Sequence, residues 1–548
     1  MDLLDQARAW RDQDPDPKTR EHLDQLMSEN DDELADCFAG RLEFGTAGLR
    51  GALGPGPNRM NRVVVLQAAA GLATYLLQRH PHECRVVIGF DARHNSDVFA
   101  RDTAAIMSGA GIEALVLPRP LPTPVLAFAI KELGCAAGVM VTASHNPPQD
   151  NGYKVYLGDG CQIVPPADAE IAAEIDRIAA TTKVPDLPMG DVWTTLGDDV
   201  LDDYVQRAVS LITASQRADN SHLRTVFTPM HGVGGNTLER VLIGAGFPAP
   251  EPVAEQFVPD PDFPTVAFPN PEEPGAMDLA LEQAAASKPD LVIANDPDAD
   301  RCAVAIPTTH DNSRFRMLTG DEVGWLLGWW MALDPQPGKV LAQSIVSGTM
   351  LEKIAEDFLL QYQHTLTGFK WIGRIEGLRF GYEEALGYCV DPRAVSDKDG
   401  ITAALFVATM AAHLKARGSS LQDQLDDLAR RHGVHVTRQV SVRVTDLSII
   451  DSVMEQLRAN PPTDIAGFTV ERFTDLERGE TLPPTNGLLF GLEQGSRVII
   501  RPSGTEPKVK AYLQAVVPVG GRVTLTQAKE QASERVEQIG QVVASWLA

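Results

Sequence analysis

One local design recurs along the chain and constrains its fold more than any other feature. A short apolar, β-branched run is followed by a polar loop punctuated by Gly or Pro, and then by a helical pattern. Three stretches of the chain show this order, which is typical of parallel α/β units. The runs lie at residues 84–93, 112–124 and 136–148, then 223–235 and 289–301, then 339–348, 364–373 and 386–392. Because ligands bind beyond the carboxyl ends of such strands, we expect the functional residues in these loops.

The end of the chain has a different pattern. We predict a strand at residues 434–444, a strand, a loop and a strand at 497–517, and a helix at 525–547. Strands that alternate beside a single long helix indicate a separate α+β domain. The sequence therefore predicts three similar α/β domains and a C-terminal α+β domain, at residues 1–203, 204–317, 318–434 and 435–548.

The charge balance excludes one class of partner. The 548 residues include 48 Lys+Arg and 74 Asp+Glu, a net charge of −26, which argues against binding to nucleic acid.

The six cysteines form no CxxC pair, which argues for a reduced cytoplasm and against a zinc or disulfide framework. The acidic N-terminus predicts no signal peptide. The longest apolar run, 323–333, is too short for a membrane span, so we predict a buried helix and no membrane partner.

Ser144 is the first candidate for chemistry. It directly follows an apolar strand, stands beside His145 and precedes a rigid Asn-Pro-Pro turn. A hydroxyl fixed in that place suits a nucleophile, provided that a neighbouring base or metal activates it. In the alternative, Ser144 only caps backbone groups of an ordinary turn. The residues alone leave both interpretations open.

Three acids that follow the apolar strand LVIA, within residues 289–301, predict a metal site. Asp296, Asp298 and Asp300 would face one way on an extended chain and converge on one hard cation. Mg²⁺ fits best, because it prefers few carboxylates together with phosphate oxygens. Without a cation the three charges would repel one another, which disfavours a purely structural role. Arg301 is placed to pair with a phosphate bound to that metal.

Residues 501–510 carry a local charge of +2 and predict a phosphate cradle, in which a Ser-Gly-Thr turn lies between Arg501 and Lys508. The alternative is a hairpin with a solvated charged rim.

Four charged residues could bind sugar hydroxyls or could be ordinary surface charges: Lys370, Glu383, Glu384 and Lys398. Neither a Walker A motif nor GxGxxG occurs, so the phosphate donor is predicted to be a phosphoserine of the protein itself.

Seven segments together resemble one known family. FGTAGLRG, TASHNPPQDNGYKVY, DPDADR, TGFKWIG, YEEALGY, DKDG and RPSGTEPK occur in the order seen in the α-D-phosphohexomutase superfamily. The match spans residues 44–508 and is most similar to the bacterial phosphoglucomutase/phosphomannomutase branch. This resemblance implies four domains around a central cleft, three of them similar α/β units and the fourth an α+β domain.

The resemblance also implies a role for each motif. Ser144 would be the phosphorylated serine and would hold Mg²⁺ together with Asp296, Asp298 and Asp300. The transfer site would be lined by Arg50, His145, Lys154 and Arg301, with Lys154 a candidate general acid or base. The sugar would be recognised by Thr367, Gly368, Lys370, Glu383 and Lys398. The non-transferring phosphate would be gripped by Arg501, Ser503, Gly504, Thr505 and Lys508.

The implied activity interconverts hexose 1-phosphate and 6-phosphate, of glucose or mannose, through a bound 1,6-bisphosphate that also serves as activator. Two departures leave the sugar open: Ala385 replaces the serine of the Glu-x-Ser loop of many members, and Tyr388 stands near a histidine of some relatives. Pentose phosphates are therefore an alternative.

A second alternative is an aspartyl phosphotransferase of the haloacid dehalogenase type, because Asp296-x-Asp298 mimics its motif. The third is a non-catalytic sugar-phosphate binding protein.

Overall fold

The fold is known from a computed structural model that describes residues 2–308, 310–333, 338–443, 447–480, 482–502 and 508–547. The chain divides into two compact units. The first unit comprises Met1–Leu318 and Gly387–His413, and the second unit comprises Thr319–Leu386 and Leu414–Ala548. The chain therefore leaves the first unit and returns to it before it completes the second.

The helices and strands are numbered in chain order. Those up to residue 210 are α1 Leu3–Arg11, α2 Pro17–Glu29, α3 Asp31–Cys37, β1 Leu49–Ala52, α4 Arg62–Arg79, β2 Arg85–Phe90, α5 Ser96–Gly109, β3 Glu113–Val116, α6 Thr123–Glu132, β4 Ala137–Val141, β5 Asp150–Leu157, α7 Ala167–Thr181, β6 Thr194–Thr195 and α8 Asp199–Ser210. Those from 211 to 318 are α9 Ala214–Arg217, β7 Thr225–Thr228, α10 Gly235–Gly244, β8 Glu251–Pro252, α11 Ala254–Phe257, α12 Asp278–Ser287, β9 Leu291–Ala294, β10 Ala303–Pro307 and β11 Phe315–Met317. The remainder are α13 Gly320–Leu333, β12 Val340–Ser344, α14 Met350–Asp357, β13 Gln361–Thr365, α15 Phe369–Ile372, β14 Leu378–Glu383, β15 Gly387–Cys389, α16 Gly400–Ala416, α17 Leu421–His432, β16 Val434–Arg443, α18 Leu447–Ala459, β17 Asp464–Ile465, β18 Phe468–Asp475, β19 Leu488–Leu492, β20 Arg497–Pro502, β21 Lys508–Val517 and α19 Leu525–Leu547.

The first unit contains two sheets. One has the order β1-β5-β4-β2-β3-β6, in which β4, β2, β3 and β6 run parallel and β5 is antiparallel to β4. The other has the order β11-β10-β9-β7-β8, with β8, β7 and β9 parallel. Strands β4 and β9 are apolar and buried along their whole length, as parallel strands between layers of helices must be. Both strands end at one of the loops predicted to carry chemistry.

The second unit contains a parallel group and an antiparallel sheet. Strand β12 pairs in parallel with β13 and β14. The antiparallel sheet has the order β16-β21-β20-β19-β18-β17. Its core includes Val536, Ile539 and Val543 of α19, which recur at helical spacing and pack with buried strand residues such as Phe490 and Leu513.

The local predictions from the sequence are largely confirmed. Strands β2, β3, β4, β7, β9 and β12 lie within the predicted runs, β16 and α19 match the predicted C-terminal strand and helix, and β20 and β21 match the predicted pair. The run 323–333 lies within α13, a buried helix with Asp321 and Glu322 in its first turn. Residues 364–373 differ from prediction, because β13 ends at Thr365 and a short helix follows it. The predicted domain limits stay predictions.

Two further findings concern the whole chain. All six cysteines are free. Among the described residues, no helix combines the length and the apolar character that a membrane crossing requires.

Candidate active site

Ser144 lies in the loop between β4 and β5. Its side chain is buried, and its hydroxyl donates to Asp296 Oδ2 at 3.1 Å and lies 3.2 Å from His145 Nδ1. The residue adopts a left-handed backbone conformation with φ of 54°. The loop therefore turns this hydroxyl toward the first of the three acids.

The three acids converge, but not for the reason that the sequence suggested. The expectation of an extended chain is wrong: the Ala299 N–H donates to the Asp296 carbonyl at 2.9 Å, and Ala299 has a left-handed φ of 57°. This tight turn brings one carboxylate oxygen from each of Asp296, Asp298 and Asp300 within 4.8 Å of the others. All three side chains are buried, with at most 1% of their surface exposed.

Two lysines offset part of the negative charge of these acids. Lys154, on β5, donates to Asp298 Oδ2 at 2.6 Å and to Asp300 Oδ2 at 3.2 Å. Lys398 Nζ lies 3.3 Å from Asp300 Oδ2 and 3.5 Å from Asp397 Oδ1. Repulsion among the acids is thus relieved by the protein itself as well as by any cation that binds there.

Two arginines flank the same centre. The Arg301 N–H donates to Asp296 Oδ1 at 3.0 Å, and Arg301 Nε lies 3.9 Å from Asp296 Oδ2 and from Asp300 Oδ1. Arg50 donates to Asn146 Oδ1 at 3.2 Å in the Ser144 loop. The residues predicted to line a transfer site are therefore brought together in the first unit.

The environment sets the charge of each group. Burial, and then the charges of Asp300 and Asp298, raise the pKa of Asp296 well above its ordinary value. Burial also tends to raise the pKa of Asp300, but Lys154, Lys398 and Arg301 together bring this pKa below its ordinary value. Burial and then the neighbouring arginines lower the pKa of His145 well below 6.5, so its imidazole is neutral at pH 7.

The donor set fits a divalent cation. Asp298 Oδ1 and Asp300 Oδ1 are buried without a hydrogen-bond partner in the structure. A buried acceptor that stays unsatisfied is costly, and a bound cation removes that cost. Carboxylate oxygens are also the ligands that Mg²⁺ and other hard cations prefer.

The sugar-loop residues occupy two places. Thr367, Gly368, Lys370 and Glu383 lie in the second unit, where the Gly368 N–H donates to Glu383 Oε1 at 2.7 Å. Gly368 has φ of 111°, a conformation that favours glycine. Lys398, predicted to belong with them, is part of the first unit and contacts Asp300 there.

Only part of the predicted phosphate cradle lies within the described residues. Arg501 is the last residue but one of β20 and donates to Thr367 Oγ1. Lys508 begins β21 and is half-buried. Ser503, Gly504 and Thr505 lie outside the described residues.

Some residues of the site carried no clear signal in the sequence. The Thr123 hydroxyl donates to Asp298 Oδ2 at 2.6 Å, and its N–H donates to the Asp298 carbonyl at 2.9 Å. Asp91, Arg93 and Thr142 surround the backbone of the Ser144 loop. Thr123 opens α6 directly after a strand and a Pro-rich loop, and this position is the one sequence signal that could have found it.

Four family models match the chain in order. They describe the alpha/beta/alpha domains I, II and III and the C-terminal domain of phosphoglucomutase/phosphomannomutase, and match residues 41–182, 202–309, 319–432 and 440–518. The chain belongs to the phosphoglucomutase/phosphomannomutase family. The predicted membership of the α-D-phosphohexomutase superfamily is confirmed, as are three α/β domains followed by a different C-terminal domain.

Several curated relatives of this chain are named as mutases. It is 52% identical over 461 residues to a probable phosphomannomutase of Haemophilus influenzae, covering 83% of this chain and 93% of the relative. It is 34% identical over 596 aligned positions to a phosphopentomutase of Pongo abelii, covering 98% and 95%. A putative phosphomannomutase structure from Thermus thermophilus has the same fold, with a TM-score of 0.70, 24% identity and coverage of 90% and 99%. The protein is therefore an enzyme, an isomerase that acts by phosphoryl transfer.

Proposed function

We propose that the protein is a cytoplasmic, Mg²⁺-dependent phosphosugar mutase that interconverts hexose 1-phosphates and 6-phosphates of glucose, mannose or both. The observation that carries this proposal is the Ser144 hydroxyl, 3.1 Å from Asp296 at the edge of a buried cluster of three acids. Phospho-Ser144 is the donor, and a sugar 1,6-bisphosphate is the bound intermediate and activator. The six free cysteines support the cytoplasmic location.

Each half of the reaction exchanges one P–O bond for another. The bond between phosphorus and Ser144 Oγ breaks, a bond to the free sugar hydroxyl forms, and the proton of that hydroxyl passes to a base. After the bisphosphate has turned end for end, Ser144 Oγ attacks the other phosphate, the bond from that phosphorus to the sugar oxygen breaks, and the sugar oxygen takes up a proton. His145 Nδ1, at 3.2 Å, and Asp296 Oδ2, at 3.1 Å, are both within reach of the Ser144 proton at that step.

Positive charge near Ser144 serves the transferring group. Asp296, Asp298 and Asp300 would hold Mg²⁺ with a phosphoserine oxygen, and the cation would neutralise charge that develops on the transferring phosphoryl. Arg50 and Arg301 flank the same place and stabilise the same charge. Lys154 keeps Asp298 and Asp300 partly neutralised and is the predicted acid or base of the exchange with the sugar hydroxyl.

The other end of the substrate is assigned to the predicted recognition loops. The sugar is recognised by Thr367, Gly368, Lys370, Glu383 and Lys398, and the non-transferring phosphate by Arg501, Ser503, Gly504, Thr505 and Lys508. The contact of Arg501 with Thr367, which joins the phosphate set to the sugar set, supports a shared task for these residues.

Pentose phosphates are the second candidate substrates. A relative named phosphopentomutase aligns with 98% of this chain, and Ala385 lacks the hydroxyl that a Glu-x-Ser loop offers to a hexose. The two candidates share the chemistry at Ser144 and differ only in the sugar that is recognised.

The deciding experiment has two parts. Mass spectrometry should find phosphate on the Ser144 peptide of the purified enzyme, and Ser144→Ala should abolish both the phosphate and turnover. The matched control is Ser28→Ala, an exposed serine on α2, which should leave both unchanged. A base-labile phosphoenzyme that survives Ser144→Ala would instead favour an aspartyl phosphotransferase.

The second part is a panel of kcat/KM values for glucose, mannose and ribose 1-phosphates, measured with Mg²⁺ and a trace of the matching bisphosphate. A preference for either hexose supports the first candidate. A preference for ribose phosphate supports the second candidate. A lack of turnover of all three would contradict a phosphosugar mutase.

A further inference from the structure

The peptide groups on both sides of Ser144 are held by side chains, one from Thr142 in the same loop and one from Arg93 in a neighbouring loop. On the amino side, the Ser144 N–H donates to Thr142 Oγ1 at 2.8 Å. The Thr142 hydroxyl in turn donates to Asp91 Oδ2 at 2.6 Å. Asp91 directly follows β2, the strand next to β4 in the sheet, so the two loops leave the same edge.

On the carboxyl side, the Arg93 guanidinium binds a series of carbonyl oxygens. One terminal nitrogen donates to the carbonyls of Ser144 and Asn146 at 2.7 and 2.6 Å. The other donates to the carbonyls of Pro147 and Asp150 at 2.8 and 3.2 Å. A planar fork of N–H donors can serve several acceptors at fixed angles, which a lysine ammonium cannot do.

Asp91 and Arg93 complete the arrangement by pairing with each other. Asp91 Oδ2 lies 3.3 Å from Arg93 Nε, and both side chains are only 1% exposed. Asp91 Oδ1 also accepts from the Ser96 hydroxyl at 2.7 Å and from the Arg93 N–H at 3.0 Å. A buried ion pair contributes little net stability, because desolvation offsets the attraction, so its value to the protein lies elsewhere.

The conformation of Ser144 shows where that value lies. Its φ of 54° places a side-chain-bearing residue in the left-handed region, which is unfavourable unless the surroundings determine it. Here the surroundings are the contacts of Thr142, Asp91 and Arg93 with the two flanking peptides. Relaxation of this backbone would turn the Ser144 hydroxyl away from Asp296.

We propose that Asp91 and Arg93 are positioning residues for phosphoryl transfer, which hold the Ser144 backbone so that its Oγ stays directed at Asp296. This inference rests on the proposed function of Ser144. The pair acts through the backbone, because the hydrogen bonds of the Ser144 Oγ go to His145 and Asp296 and not to Asp91 or Arg93. Its loss should therefore lower kcat and leave substrate binding, and hence KM, nearly unchanged.

The test uses Arg93→Lys and Arg93→Ala in the full-length enzyme. We expect kcat to fall roughly 100-fold, the usual consequence of a misplacement of about 1 Å, with KM changed less than about twofold. The rate at which a 1,6-bisphosphate phosphorylates the dephosphorylated enzyme, followed by intact mass, should fall by the same factor. Guanidinium chloride below its denaturing range should restore the kcat of Arg93→Ala about tenfold, whereas equal NaCl should not.

The matched control is Arg62→Ala. Arg62 makes a two-pronged pair with Asp102, at 2.7 Å for both contacts, in the same unit of the chain. This variant also loses an arginine–aspartate ion pair, one that is more exposed than the pair of Arg93 with Asp91, and it should lower Tm without lowering kcat. Should Arg93→Ala fail to fold, Arg93→Lys and Asp91→Asn, which keep most of the packing, carry the test, and Asp91→Asn should also lower kcat at unchanged KM.

The outcomes separate this inference from the proposed function. A wild-type enzyme without phosphate on Ser144 would overturn the proposed function, and the inference with it. A wild-type enzyme phosphorylated on Ser144, with folded Arg93 variants that keep kcat within about threefold of wild type, would overturn the inference alone. A loss that appears in Tm only, as in Arg62→Ala, or one that guanidinium does not rescue, would also contradict positioning.

Discussion

The region around Ser144 and the region around Arg501 are built differently. Ser144 and Lys154 are almost completely buried, and they donate hydrogen bonds to the buried acids Asp296 and Asp298, respectively. Glu383 and Arg501, in the second unit, are half-buried, and each makes one of the two contacts described there. The proposed function accounts for this difference, because a site that repeats one chemical step benefits from fixed geometry, whereas groups that release one end of a substrate and accept the other benefit from access to solvent.

The two regions also differ in the pKa values of their acids, as Asp300 and Glu384 show. Asp300 is buried, yet nearby lysines and an arginine lower its pKa, so it is ionised and can bind a cation. Glu384 accepts hydrogen bonds from the Ser344 and Ser347 hydroxyls at 2.9 Å, and burial raises its pKa to about 7. Burial alone therefore does not determine charge, because the partners of the group decide it.

The largest effect is expected for Asp298→Asn. The change removes one anionic ligand oxygen from the metal site but can still accept the Thr123 hydrogen bond. We expect kcat to fall roughly 10³-fold, because a catalytic cation supplies several kcal/mol to the transition state. Mg²⁺ should raise the Tm of wild type and not of the variant, while Asp278→Asn, an exposed acid on α12, should behave as wild type in both assays. Full activity in Asp298→Asn would remove the metal assignment.

The next effect concerns the second unit. Arg501→Ala should raise KM about 10- to 100-fold, the loss expected for one or two hydrogen bonds to a charged phosphate, and change kcat little. Steady-state kinetics measure both constants. Arg431→Ala removes the same charge from an exposed position on α17 and should leave KM unchanged. An unchanged KM in Arg501→Ala would mean that the phosphate is bound elsewhere.

Glu384 predicts a pH dependence of stability. Because its pKa is raised from 4.5 to about 7 on folding, the folded state binds this proton more tightly. The resulting stabilisation is complete below pH 4.5 and is lost as the pH rises through 7. Wild type should therefore lose about 1–3 kcal/mol more than Glu384→Gln between pH 5 and pH 8 in urea titrations. The exposed Glu376→Gln should follow wild type, and parallel curves for all three proteins would show that Glu384 has an ordinary pKa.

The smallest effect tests sugar preference. Ala385→Ser restores the hydroxyl of the Glu-x-Ser loop and should raise kcat/KM for hexose relative to pentose phosphates about 2- to 10-fold, the worth of one neutral hydrogen bond. Competition assays with paired substrates measure this ratio directly. The matched control is Ala385→Gly, which adds no hydroxyl and should not raise the ratio. An equal gain in both variants would assign the effect to backbone freedom.

Features that depend on neighbouring residues were predictable from the sequence. Strand β9 and the acids after it follow from an apolar run and a polar loop, and the Ser144 loop follows from the same pattern after β4. The shape of the acidic loop was not predictable. A Cβ on Gly232 would lie 2.3 Å from Pro297 Cα, so a distant loop packs closely against the turn and contributes to its form.

Contacts between residues far apart in the sequence were also missed, because a local pattern does not show which distant segment packs against it. Arg93 and Ser144 are 51 positions apart, and Thr123 and Asp298 are 175 positions apart. Nothing in the local pattern around Arg93 separates it from an exposed arginine. Lys398 was expected among sugar-binding residues, and only the fold shows that it contacts Asp300.

The return of residues Gly387–His413 to the first unit affects how the protein is synthesised. Asp300 leaves the ribosome about 100 residues before Lys398, an interval of roughly 5–20 s at ordinary translation rates. During that time the nascent first unit lacks Lys398, one of the positively charged side chains that offset its buried acids. It also lacks helix α16. The acidic centre can therefore reach its final state only after most of the chain has been translated, and neither unit can be produced alone from one uninterrupted segment of the gene.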